Sequence, residues 1–118
     1  MGSFQGVRSP ESHWLDGLES AVAAYAEMAR ICRERSIQFS ALVAPTMIEL
    51  RRARFPITDR FTESLREAGV PLISLKESFL EADDPSEVIS PDHHWTPLGT
   101  RRAAEAIVKH AWREGPAG

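Results

Sequence analysis

The segment "SPDHHWTPLGTRRAAEAI", residues 90–107, gathers a carboxylate, two imidazoles and an indole directly ahead of an alanine-rich stretch. A histidine titrates near neutrality and so serves as a general base. A carboxylate bonded to its other ring nitrogen fixes the tautomer and stabilises the imidazolium. Asp92 and His94 stand two residues apart, so both side chains can leave one short loop and meet. His93, between them, is expected to point elsewhere. The same residues admit an ordinary turn in which Asp92 bonds nearby backbone or helps to cap the next helix. A metal site is a third reading, because imidazole and carboxylate are both ligand types.

The elements that position this loop follow from hydrophobic spacing. Leu15, Leu18, Val22, Tyr25, Ala29 and Cys32 recur at intervals of three and four, which predicts an amphipathic helix over 14–35. Cys32 lies on that apolar stripe and reads as a buried thiol; as the only cysteine it has no disulfide partner in the chain. "IQFSALVA", 37–44, reads as a strand that turns apolar on both faces and ends at Pro45. A helical turn is expected before Pro56, and the basic run "ELRRARFP" reads as a solvated face. Thr58 is the expected cap of a helix over 59–68, with Phe61, Leu65 and Ala68 inward and Gly69 as its stop. "VPLISL", 70–75, is a second strand, followed by a short helix near 77–82, a turn at Asp84 and Pro85, and a short extended piece at Val88 and Ile89. Thr96 and Pro97 suit the cap and first residue of a last helix over 97–113. Its expected inner stripe is Ala104, Ile107, Val108 and Ala111, with Trp112 covering core.

Helices alternating with apolar strands predict an α/β fold with a parallel sheet and right-handed crossovers. Two strands and a fragment make a narrow sheet whose edges need covering. The expectation is therefore a domain over 13–113, between a flexible segment at 1–12 and a tail at 114–118, that belongs to a larger sheet and is incomplete. In open α/β sheets ligands bind outside the carboxyl ends of the strands, where the Asp92 loop falls. The chain's 118 residues suit one domain, and 42% hydrophobic with 26% charged residues is ordinary for a globular one. A formal charge of -3 gives no electrostatic reason to expect nucleic acid or an anionic membrane. No run approaches the ~18 apolar residues of a membrane-spanning helix. "MGSFQGVRSPES" at the start has no hydrophobic signal core, so the chain as written looks cytosolic.

"PDHHWTPLGTRRAAEAI" resembles the last block of the SGNH/GDSL hydrolase superfamily, in which an Asp and a His share one loop. In that block a glycine follows the His by five positions, as Gly99 follows His94 here. The Asp-x-His-Trp form at 92–95 is similar to SGNH-like domains of alginate-type polysaccharide O-acetyltransferases and to bacterial proteins with a DHHW motif. "ICRERSIQFSALVAPT" and "LREAGVPLISLKESFLEA" look like the helix–strand units that precede the block, and the resemblance spans roughly residues 20–112. It implies a three-layer, flavodoxin-like sheet with flanking helices. It implies that Asp92 orients His94, that His94 deprotonates a serine, and that the serine takes the acyl group of an ester and passes it to water or to a sugar hydroxyl. The implied partner is an acylated carbohydrate or small ester, with no cofactor and an extracytoplasmic setting. His93 and Trp95 become candidate substrate contacts, with packing against the core as the other role for Trp95, and Gly99 lets the helix approach the loop closely.

The resemblance also asks for a serine in a Gly-Asp-Ser block and for an oxyanion donor, commonly an asparagine. The chain has no Gly-Asp-Ser tripeptide and no asparagine. Losing one such donor costs roughly 3–4 kcal/mol of barrier. Ser3 follows no strand, and Ser12, Ser64, Ser74, Ser78, Ser86 and Ser90 stand outside any nucleophile motif. The chain therefore reads as the Asp/His-bearing piece of a longer enzyme, with the serine-bearing part of the domain as its partner. The alternative is an inactive relative that binds polysaccharide or a protein. A DHH-type manganese phosphoesterase is a weaker rival, because it needs an upstream Asp-x-Asp block. Here Asp16, Asp59, Asp83 and Asp84 fall at helix starts or turns, and His13 and His110 lack ligand spacing, so no metal site is expected.

Overall fold

A computed structural model describes residues 10–114, and the side chains of residues 14–110. The expectations for Ser3, Ser12, His13, Ala111, Trp112 and the two chain ends lie outside the described residues. The order of elements is α1 (Pro10–Glu34), β1 (Ala41–Val43), α2 (Met47–Arg52), α3 (Pro56–Glu67), β2 (Leu72–Ser74), α4 (Lys76–Leu80), a 3₁₀ turn (Pro85–Glu87) and α5 (Pro97–Glu114). Among the described residues the protein is thus a small α/β unit with five helices and one two-stranded parallel sheet, Leu42 opposite Ile73. Both strands are shorter than their apolar runs. Ala41 N–H donates to the Pro71 carbonyl at 2.9 Å, but Pro71 has no N–H with which to form the next rung back.

Helices lie on both faces of the sheet. Ala41 and Val43 are buried with Ala29 of α1 and Leu65 of α3, and Tyr25 and Phe61 pack ring to ring at 6.0 Å. On the other face Leu42 and Ile73 look across a cavity of about 290 Å³ toward Ile107 and His110 of α5. Cys32 is half-buried rather than buried. Core contact along α1 ends at Ala29, and the neighbouring Ile31 and Ile37 are exposed too.

α5 is rotated from the expected stripe. Ile107 and Val108 are 43% and 52% exposed and Ala104 is also outward, whereas Gly99, Ala103 and Ala106 face the core. The cause is a backbone-to-backbone contact: a Cβ on Gly99 would stand 2.2 Å from the Val88 carbonyl oxygen. That approach sets the helix's rotation, and small side chains line the seam.

The basic run holds a buried node. Its arginines are exposed, but Glu49, Leu50 and Phe55 are buried. Glu49 closes a capping box with Thr46 at the start of α2. Its Oε2 also accepts the Ile57 and Thr58 N–H groups at 2.9 and 3.0 Å, and its Oε1 the Thr58 hydroxyl at 2.6 Å. Thr58 is therefore not the cap of α3. It lies inside the first turn, and the carboxylate of Glu49 satisfies that helix end, where negative charge meets the positive pole of the helix dipole.

Candidate functional site

The Asp92 loop is anchored by Val88 and Ile89, which are 0% and 4% exposed. They sit in a core cluster with Met47, Leu50, Leu75 and Phe79, residues of the segments that leave the carboxyl ends of β1 and β2. Ile89 and Trp95 form an antiparallel bridge. Inside it, Ser90 N–H donates to the His94 carbonyl at 2.7 Å and His93 N–H to the Ser90 carbonyl at 2.9 Å. His93 has φ 67°, the left-handed region. A turn closed by one left-handed residue is the usual three-residue hairpin loop, and Pro91 in second position suits its fixed φ. Thr96 ties the loop to α5: its N–H donates to the Val88 carbonyl at 3.0 Å, and its hydroxyl accepts the Gly99 N–H at 3.0 Å.

The hairpin brings Asp92 and His94 together. Asp92 Oδ2 lies 3.3 Å from His94 Nδ1, with the two side chains 76% and 81% exposed. The Ser90 hydroxyl donates to Asp92 Oδ1 and accepts the His94 N–H at 3.3 Å. That hydroxyl, and then the imidazole of His94, hold the Asp92 carboxyl below the usual carboxylate range. Both side chains of the pair therefore stand open to water. His93 is exposed beside it. Trp95 meets the ring of Phe79 edge-on at 5.9 Å and is still 39% exposed, so it packs on the core and offers a face to solvent.

The other candidate residues lie apart from this pair. A cavity of about 520 Å³ between β2 and α5 is lined by Ser74, Ser78, Arg102 and His110 among others, and by none of residues 90–95. His110 Nε2 lies 3.4 Å from the Ser40 hydroxyl. Among the described residues no group of three His, Cys, Asp or Glu side chains is placed to share a metal ion, the arrangement a DHH-type centre needs. Among the described residues no helix is long and apolar enough to cross a membrane. Sequence reasoning passed over Ser90 and Glu49. The Ser-Pro-Asp order carried a signal for the first, since serine and proline favour the first two positions of such a turn.

No curated protein and no solved structure matches the chain. A family model described as "SGNH hydrolase-like domain, acetyltransferase AlgX" matches residues 17–117, a span that begins in α1 and takes in both strands and the whole Asp92 loop. The chain belongs to this family of SGNH hydrolase-like acetyltransferase domains.

Proposed function

We propose that the chain supplies the Asp/His part of an O-acetyltransferase site that works through a serine acyl-enzyme, and that the serine comes from polypeptide outside these 118 residues. The observation that carries this reading is the 3.3 Å approach of Asp92 Oδ2 to His94 Nδ1 on a hairpin beyond the carboxyl ends of the strands. With the Nδ1 proton turned toward Asp92, Nε2 is the free acceptor. It takes the proton of a serine hydroxyl as the serine oxygen attacks the acyl carbon of an ester. The tetrahedral intermediate collapses, and the imidazolium returns that proton to the departing alcohol. A sugar hydroxyl, deprotonated by the same Nε2, then attacks the acyl-serine, and the imidazolium returns that proton to the serine oxygen as it leaves. Trp95 presents its exposed face to an acylated carbohydrate, and His93 stands at the same rim.

The open face of the sheet supports a serine-bearing partner within a larger flavodoxin-like sheet. Ala41 and Val43 make the β1 side of the ladder, so the backbone of Leu42 points to an edge that no other described strand pairs. Leu42 is 37% exposed and Ile107, across the same face, 43%. Such an edge invites another strand.

The test is ester turnover by the polypeptide encoded in the whole reading frame, with p-nitrophenyl acetate as substrate. Wild type should turn over, and His94→Ala should lose about 10⁶-fold in kcat, the scale for removing the base of such a triad. Unchanged turnover in His94→Ala would sink the proposal. A second reading, a polysaccharide-binding module, draws on the exposed Trp95 face. Glycan binding that survives His94→Ala in a protein without turnover would favour it.

A further inference from the structure

Ser90 carried no nucleophile motif in the sequence, and its hydroxyl faces the carboxylate of Asp92 rather than the imidazole of His94. A hydroxyl has one proton to give. Given to Asp92 Oδ1, it leaves the lone pairs to accept the His94 N–H at 3.3 Å; the His94 carbonyl, which takes the Ser90 N–H, is a second acceptor 3.0 Å from the hydroxyl, and the charged carboxylate is the stronger one. Ser90 thus grips both ends of the loop with its backbone and aims one side chain with its hydroxyl. Asp92 is 76% exposed, so its rotamer depends on polar partners rather than on burial. An exposed carboxylate without a second partner swings among staggered rotamers, and most of them turn its oxygens away from a neighbouring ring.

We propose that Ser90 is the positioning residue of the pair: its hydroxyl pins Asp92 Oδ1 so that Oδ2 faces His94 Nδ1. This inference rests on the Asp/His reading above. The same hydroxyl is consumed by this role, so Ser90 is not the acyl-accepting nucleophile. A serine that gives its proton to a carboxylate and accepts one from a backbone N–H has no free path to His94 Nε2.

The test uses the 118-residue chain and two-dimensional nitrogen NMR of the imidazole of His94, which reads the share of Nδ1–H against Nε2–H tautomer. Wild type should favour Nδ1–H. Asp92→Asn should move the balance toward Nε2–H. Ser90→Ala should move it the same way and raise the Asp92 carboxyl, read by carbon NMR, toward the ordinary carboxylate value. Ser90→Thr, which keeps a hydroxyl, should restore both. Backbone contacts across the Ile89/Trp95 bridge report whether the hairpin survives in each variant. If Asp92→Asn shifts the tautomer and Ser90→Ala does not, the Ser90 role is wrong and the Asp/His reading stands. If Asp92→Asn itself leaves the tautomer unmoved, both fall. A Ser90→Ala chain that loses the bridge would make Ser90 a hairpin residue only, and that too overturns the inference.

Discussion

Glu49 and Asp92 are both carboxylates that accept a serine or threonine hydroxyl next to a helix start, and on the proposed reading they do opposite jobs. Glu49 is 4% exposed, and five donors fill its two oxygens: the backbone N–H groups of Thr46, Ile57 and Thr58 and the hydroxyls of Thr46 and Thr58. Nothing is left over for a reaction, and everything is spent on joining α2 to α3. Asp92 takes one hydroxyl on Oδ1 and keeps Oδ2 for an imidazole, in water. Burial with complete satisfaction makes a fastener; exposure with one oxygen in reserve suits the reactive partner proposed above. Stability should therefore reside in the first carboxylate and chemistry in the second.

The largest stability effect is expected at the fastener. Glu49→Ala strands buried N–H and hydroxyl donors at two helix starts, and should cost about 3–4 kcal/mol in urea denaturation. That is a large part of the total for a domain of this size. Glu49→Gln keeps one acceptor but turns an amide NH₂ toward donors, so about half that loss is expected. If Glu49→Ala costs no more than a surface substitution, the contrast with Asp92 breaks.

Gly99→Ala comes next and tests whether the loop is held by its seam with α5 rather than by its carboxylate. A Cβ 2.2 Å from the Val88 carbonyl oxygen meets backbone, which cannot step aside. Overpacking of this kind costs up to about 3 kcal/mol, against roughly 1 kcal/mol that alanine returns in helix propensity. The net loss should be about 2 kcal/mol by the same denaturation measurement. A neutral Gly99→Ala would mean that α5 is free to slide along the loop.

Acid sharpens the comparison without a change of shape. Burial alone would raise the Glu49 carboxyl, but the Thr58 hydroxyl and the backbone N–H groups of Thr58, Thr46 and Ile57 outweigh it and leave it below the usual value. A depressed native pKa gives stability that is complete above the ordinary carboxylate pKa of about 4.3 and is lost as pH falls through the native value. Chemical denaturation from pH 6 to pH 3 should show that decline in wild type. The decline should be shallower in Glu49→Gln, which has no such proton to take up.

Much of this arrangement is legible in the residues, and what is not has definite causes. The alternation of helices with apolar runs gave the parallel α/β order. Thr96, Pro97 and Gly69 marked their turns by chemistry that acts within three residues, and Gly69 does take a positive φ of 77°. The Asp92/His94 approach was legible for the same reason, since one short loop sets it. The node at Glu49 was not, because its partners on α3 lie eight and nine residues away and the arginines around it dominate the local pattern. The rotation of α5 was missed because hydrophobic spacing favours Ile107 and Val108, whereas a backbone contact at Gly99 decides which side faces in. Local chemistry is readable from sequence; a contact between backbones is not.

The smallest effect on stability, and the sharpest on chemistry, belongs to Asp92→Asn. The side chain is 76% exposed and its side-chain contacts include the Ser90 hydroxyl and the His94 ring, so the melting temperature of the chain should stay within about 3 °C of wild type. Asparagine keeps the size and can still accept from Ser90. It cannot stabilise an imidazolium, and its NH₂ facing Nδ1 selects the tautomer whose proton sits on Nε2, where the base must be bare. Turnover of p-nitrophenyl acetate by the whole reading frame should then fall about 10⁴-fold, as for a triad with its carboxylate neutralised. A drop in melting temperature as large as that of Glu49→Gln would place Asp92 with the fasteners. An active Asp92→Asn enzyme would show that His94 is oriented by some other group.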